Sequence, residues 1–211
     1  MQKLYAEFIG TFALVFVGVG SIVNNAGLLG IALAHGLAIA IAVSAFAGFS
    51  DAHFNPAVSV AMFLTQRIKS TTLIQYLIAQ LLGASVASLA IRGIFGANSA
   101  TGLPEVASNI SVSSALLAEA IATALLLLTI FAVAVDKRGA MSSVSGFPIG
   151  LIITAGILAI GPATGAALNP ARWFGPALIS GNWTNGWVYI IGPSIGAALA
   201  ALSYQMIILK K

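Results

Sequence analysis

Two segments of this chain are apolar enough to enter a membrane and too short to cross it, and both open on the same block. Asn55, Pro56 and Ala57 head the segment 55–66, and Asn169, Pro170 and Ala171 head the segment 169–179. Proline suits the first turn of a helix, where its missing N–H would be unpaired in any case, and asparagine is among the best residues at the cap before it. Each block therefore reads as a helix start. A single copy would carry little weight, but the two copies sit in matching surroundings. Glu7 in AEFIGTFALVF precedes Asn55 by 48 residues, and Glu119 in AEAIATALLLL precedes Asn169 by 50. Behind each block the chain resumes with a similar third helix, YLIAQLLGASVASL at 76–89 and YIIGPSIGAALAAL at 189–202.

The 211 residues are 59% apolar and 7% charged, whereas about a quarter of a soluble domain is charged. The chain is a membrane protein on this ground, and at roughly 20 residues per span it has room for about six helices and no sizeable extramembrane domain. Spans are expected at 4–24, 29–49, 71–94, 113–135, 144–161 and 183–208, with one long polar connector at 95–112. Gly83 with Ala87, and Gly192 with Gly196, have the spacing of closely packed membrane-helix faces. Three spans per half is an odd number, so the second half must enter from the opposite side. The expected fold is an all-α integral membrane domain over 1–211, six spans and two re-entrant half-helices in an inverted repeat of about 1–94 and 113–211.

Lys3, Arg67, Lys69, Lys137, Arg138, Lys210 and Lys211 mark every second boundary. This is the positive-inside pattern of an even number of spans with both termini cytoplasmic, so the sequence pI of 9.7 calls for no nucleic-acid partner. The apolar pattern after Met-Gln-Lys, without a cleavage site and polar mature region behind it, reads as a first span and not a secretory signal. The short loops are read as those of a prokaryotic plasma (inner) membrane protein. The absence of cysteine excludes disulfides, thiolate nucleophiles and Cys-ligated metals, and His35 and His53 alone are too few for a metal cage. With no nucleophile and base pair, metal motif or cofactor box, neither an enzyme nor a resident cofactor is expected.

Non-helical backbone at membrane depth is tolerated only inside protein or along a water-filled cavity, so the two short segments should line one. Meeting near the midplane, they would bring together the Asn55 and Asn169 amides and the positive ends of two helix dipoles. Such a centre suits a neutral hydrogen-bonding solute and repels cations. A water turned with its oxygen toward both asparagines would also break a proton wire. An alternating-access transporter places broken helices similarly, but it needs coupling groups, and beyond Glu7, Glu119 and Arg172 the bundle supplies none. Arg172, a charge inside an apolar bundle, requires water or partners; loop carbonyls are expected to hold it and leave donors for a solute.

The paired boxes in SDAHFNPAVSVAMFL and TGAALNPARWFGPAL, the two first-helix glutamates and Gln80 in YLIAQLLGA resemble the aquaporin or major intrinsic protein family over essentially the whole chain. The resemblance implies a right-handed bundle, a homotetramer with a pore per subunit, and a passage for water and small neutral solutes across the lipid bilayer that excludes protons and ions. It assigns Glu7 and Glu119 to hydrogen bonds with the re-entrant loops, and His53 to bracing the first loop. It also implies a four-residue selectivity filter on the outer side, which falls here on His35, Ile157, Ala166 and Arg172.

This quartet departs from the strict water channels of the family, which typically have Phe in helix two and His in helix five. It resembles the filters of plant vacuolar and some mitochondrial-type aquaporins that pass ammonia with water, although the connector 95–112 lacks the histidine some of those relatives bring to the pore mouth. Hydrogen peroxide and urea are weaker candidates. The alternative within the family is a facilitator of glycerol or small polyols, but those usually have Asp after the filter arginine, a basic residue four positions on and an aromatic filter wall. Here Trp173 and Ala177 stand at those two positions. Trp173 matches neither subgroup. Asp51 and Asp136 read as solvated loop charges, and protonation of His35 is the expected source of any pH dependence.

Overall fold

The computed structural model describes residues 1–96, 102–139 and 144–209. The helices are α1 (Gln2–Val23), α2 (Gly27–Phe46), α3 (Pro56–Leu64), α4 (Ser70–Phe95), α5 (Val112–Ile130), α6 (Gly146–Thr164), α7 (Pro170–Ser180) and α8 (Gly186–Ser203). Short π-helical turns extend α5 over Phe131–Val135 and α8 over Tyr204–Leu209. Six helices, counting these extensions, are long and apolar enough to cross a membrane. The other two, α3 with 9 residues and α7 with 11, reach only about half of a ~30 Å hydrocarbon core at 1.5 Å per residue. They are the half-helices.

Their starts follow the capping logic of the sequence. Asn55 and Asn169 are extended, and each side-chain Oδ1 accepts the N–H two residues on, from Ala57 and from Ala171, both at 2.9 Å, with proline in the first turn. The expected boundaries shift in places. α6 does not stop near residue 161 but runs through Pro162 to Thr164, because Gly165 at φ +75° closes it with an N–H on the Gly161 carbonyl at 2.8 Å. The π turns carry no sequence signature and were not expected. Lys210 and Lys211 of the basic pattern lie outside the described residues, as do residues 97–101 of the connector.

Lipid is as apolar as a leucine side chain, so helices associate in it by close backbone approach and not by hydrophobic burial. α1 lies on α4 at Gly83, where a Cβ would collide with the Phe8 carbonyl oxygen, and α5 lies on α8 at Gly196, where it would collide with that of Ala120. Gly83 and Gly196 occupy equivalent positions in the two halves. α2 and α6 meet at Gly36 and Gly150, and here the relation is reciprocal, since a Cβ on either residue would meet the carbonyl oxygen of the other. Residues beside a two-fold axis contact their own equivalents. The axis that relates the inverted halves therefore passes between α2 and α6.

Candidate functional site

The loops before α3 and α7 are built alike. Each places two non-glycine residues in the left-handed region, Ala52 (φ 50°) and Phe54 (φ 51°) in the first and Ala166 (φ 47°) and Leu168 (φ 53°) in the second. Such residues cost about 1–3 kcal/mol each, and a buried carboxylate offsets them. Glu7 Oε1 accepts the Ser50 hydroxyl and the His53 N–H, both at 2.9 Å, while Oε2 accepts the Phe54 N–H and Gln80 Nε2, both at 2.8 Å. Glu119 Oε1 accepts the Thr164 hydroxyl at 2.7 Å and the Ala167 N–H at 2.9 Å, and Oε2 accepts the Leu168 N–H at 2.8 Å. At about 1.5–3 kcal/mol per bond to a charged group, three or four bonds are of the size needed to offset two strained residues. Both glutamates are fully buried and neither lines the cavity between the loops.

The two asparagines hold the loops to each other. Asn55 Nδ2 donates to the Leu168 carbonyl at 2.9 Å, and Asn169 Nδ2 donates to the Phe54 carbonyl at 2.8 Å. With each Oδ1 committed to its own helix, the reverse amide orientation would set oxygen against carbonyl oxygen, which fixes the assignment. Each NH₂ carries two hydrogens, so one per asparagine remains. Both asparagines face a cavity of about 70 Å³ that also reaches His35, His53, Ile157, Ala166 and Arg172. One water needs about 10–15 Å³ on this measure, so the cavity holds roughly half a dozen. Its other wall is apolar, with Ile39, Val43, Val58, Ile130, Ile149 and Ile153. A small molecule inside it thus meets polar groups and apolar side chains within one passage.

Toward the connector, Arg172 is 2% exposed. Its backbone N–H is capped by Asn169 Oδ1 at 3.3 Å, its Nη1 donates to the Gly102 carbonyl at 2.7 Å, and its Nε donates to His35 Nε2 at 3.3 Å. A carbonyl was expected to hold it, but one from the second re-entrant loop; the connector supplies it instead. His35 Nδ1 lies 2.8 Å from the Ile31 carbonyl, which can only accept, so Nδ1 carries the hydrogen and Nε2 is free to accept from arginine. Both ring nitrogens are occupied. The imidazole, packed against Gly18 of α1, positions the guanidinium and offers no N–H to a solute. Of the five arginine N–H groups, two are used among the described residues and three remain.

The remaining sequence candidates sort cleanly. His53 braces its loop through its N–H to Glu7 and through Nδ1 to Ser59 Oγ at 3.0 Å, and it also borders the cavity. Trp173 does not reach the cavity. It stacks on Tyr189 at 5.8 Å and meets Trp183 edge-on at 5.6 Å. The repeat accounts for it: Trp173 stands four residues after Asn169 as Ser59 stands four after Asn55, and in the first half the equivalent tyrosine, Tyr76, packs on His53 at 5.2 Å. The indole packs in a cluster with Ala167, which stands where His53 stands in the other half. Asp136 is not a solvated loop charge as expected. It is 7% exposed, and Arg138 holds it by a 2.9 Å bond from Nε to Oδ1 and a 2.7 Å bond from Nη2 to Oδ2. Asp51 lies at the cavity mouth, accepts Tyr76 OH at 3.2 Å and has Lys3 at 4.0 Å. Ser50 and Thr164, missed from sequence, sit five residues before their asparagines, so the same repeat locates them. Gly102 had no such signal.

Two capped half-helices meeting at a narrow polar and apolar passage inside six spans define a membrane channel. The chain belongs to the major intrinsic protein family, whose family model matches residues 1–204. Among similar proteins are a probable aquaporin TIP3-2 of Arabidopsis thaliana, 42% identical over 99% of this chain and 84% of its own, and an aquaporin NIP1-1 of Zea mays, 39% identical over 98% and 75%. The solved aquaglyceroporin of Plasmodium falciparum superposes with a TM-score of 0.90 at 27% identity, covering 98% of this chain and 96% of that one. These relatives correct one expectation. The similar proteins named are plant TIP and NIP aquaporins, which overturns the reading as a prokaryotic plasma membrane protein. Short connections were a poor guide, because bilayer thickness sets the length of spans and says nothing of the loops between them.

Proposed function

We propose that this chain, one channel domain throughout, is a passive pore for water and ammonia that excludes protons and ions. His35, Ile157, Ala166 and Arg172 form its filter and Asn55 and Asn169 its centre. The observation that carries this reading is the filter geometry: His35 spends both nitrogens on Ile31 and Arg172, which ties the guanidinium to one wall and leaves Ile157 and Ala166 as the facing surface. A half-apolar ring costs a small, weakly hydrated solute such as ammonia less than it costs an ion, which needs its hydration replaced. Proton exclusion rests on the two remaining asparagine N–H groups and the two half-helix N-termini, which turn a central water with its oxygen toward them. The same reading takes the chain as one subunit of a homotetramer.

Stopped-flow measurements on proteoliposomes test it, with osmotic shrinkage for water and internal pH change for ammonia. Both fluxes well above those of empty vesicles are expected. Glycerol flux comparable to that of water would favour a polyol facilitator instead.

A further inference from the structure

On the face that carries the basic residues, a concavity of about 570 Å³ opens between the end of α3 and the start of α4, lined by Phe63, Leu64, Gln66, Arg67, Ile68 and Lys69. Its composition is divided: two cations and an amide beside three large apolar side chains, of which Phe63 and Leu64 are 37% and 44% exposed. Arg67 is held in place. Its Nη1 donates to the Thr65 carbonyl at 2.9 Å and to Gln205 Oε1 at 2.6 Å, and its guanidinium lies 4.9 Å over the Phe131 ring. The Nε and Nη2 hydrogens have no hydrogen-bond partner among the described residues.

Among the described residues, no acidic side chain lines this pocket. Of the chain's five acidic residues, Asp136 is bound to Arg138 and Asp51 lies beside Lys3 and Tyr76, while Glu7 and Glu119 are buried in the two loops and Glu105 pairs with Asn182. At the end of α3 the Ala61, Phe63 and Met62 carbonyls accept the N–H groups of Thr65, Gln66 and Arg67, so these three are not turned toward the pocket unpaired. α4 begins with Lys69 at a cap that has no side-chain partner and no acidic residue in its first turn, which leaves the positive end of its dipole open.

We propose that this pocket binds an anionic phospholipid of the adjoining leaflet, its phosphate on Arg67 and Lys69 and its acyl chains over Phe63 and Leu64. Charge complementarity and the apolar floor together select a lipid: a free anion has no use for the floor, and a zwitterionic lipid gains little from the two cations. The bound headgroup would bear on Arg67, which already joins the end of α3 to the π turns that extend α5 and α8. The lipid would therefore bear on the junction between the end of α3 and the ends of α5 and α8.

Native mass spectrometry of the purified protein, titrated with dioleoyl phosphatidylglycerol and separately with dioleoyl phosphatidylcholine, tests this. Phosphatidylglycerol is expected to bind more tightly, and Lys69→Gln to weaken it by about fivefold, the effect of one basic residue near an anionic surface. Among the described residues Lys69 makes no side-chain hydrogen bond or ion pair, so this variant separates binding from folding; Arg67→Gln with Lys69→Gln should abolish the preference. Lys137→Gln, outside the pocket, should leave it unchanged. Equal loss in Lys137→Gln, or an unaltered preference in Lys69→Gln, would overturn the site. Displacement of phosphatidylglycerol by inorganic phosphate beyond that by chloride at matched ionic strength would overturn the lipid as its occupant.

Discussion

Arg172 carries a full charge in a passage only a few waters long, and two fixed bonds decide where that charge points. Replacing it with valine removes the positive field and the donors to His35 and Gly102. Arg172→Val is expected to admit small cations or protons while water flux persists, read as proton conductance in pH-loaded proteoliposomes; unchanged exclusion would place the whole barrier at the asparagines. His35→Phe removes the acceptor for Arg172 Nε and adds ring volume. It is expected to lower ammonia flux more than water flux, and an equal reduction of both would remove the filter's role in choosing between them. Asn55, Asn169, both glutamates and Arg172 were legible in the sequence because a repeat or a misplaced charge marked them. The cross-bonding of each asparagine to the opposite loop was not, since the carbonyl partners of Leu168 and Phe54 belong to backbone. Nor was the His35 tautomer, which depends on Ile31 one turn back and Arg172 137 residues away.

At the scale of elements, each re-entrant loop is a strained backbone held by a carboxylate, and the two differ in how many donors they supply. Glu7 accepts from four groups and Glu119 from three. Glutamine at either site would set an NH₂ against N–H donors and leave buried groups unpaired, a loss of about 3 kcal/mol or more. Glu7→Gln and Glu119→Gln are therefore expected to unfold at clearly lower temperature in detergent, measured by light scattering on heating. A second clamp joins the end of α5 to the end of α8, with Asp136 accepting from Arg138 and from Tyr204 OH at 3.2 Å, and Arg138 Nη2 donating to the Ile208 carbonyl at 3.1 Å. The hydrogen bonds from Arg138 hold the Asp136 carboxyl well below the usual carboxylate range. A depressed folded-state value means the clamp's contribution is complete above the unfolded value of about 3.9 and is lost only as pH falls below it. Asp136→Asn should thus lower the melting temperature equally at pH 6 and pH 8. Helix number and order were legible from hydropathy and the basic boundaries; the π turns and the run of α6 through Pro162 were not, because hydrogen-bond register leaves no periodicity to read.

For the whole molecule, the inverted repeat is what converts two short helices into a passage. Six spans packed at Gly36, Gly83, Gly150 and Gly196 bring two cap residues from opposite sides to one point, and the passage takes its polar groups from the loops, α7 and His35 of α2 and most of its apolar lining from α2, α5 and α6. A chain without cysteine offers no thiol to mercurial reagents, so its flux should be untouched by doses that block thiol-bearing channels; rapid inhibition would contradict this. The ring of His35, Ile157, Ala166 and Arg172 is proposed to admit ammonia with water. Stopped-flow recording of osmotic shrinkage and ammonia-driven internal pH change on one preparation of proteoliposomes tests this. Fast water and fast ammonia together are the predicted result, and fast water with ammonia no faster than in empty vesicles would contradict it.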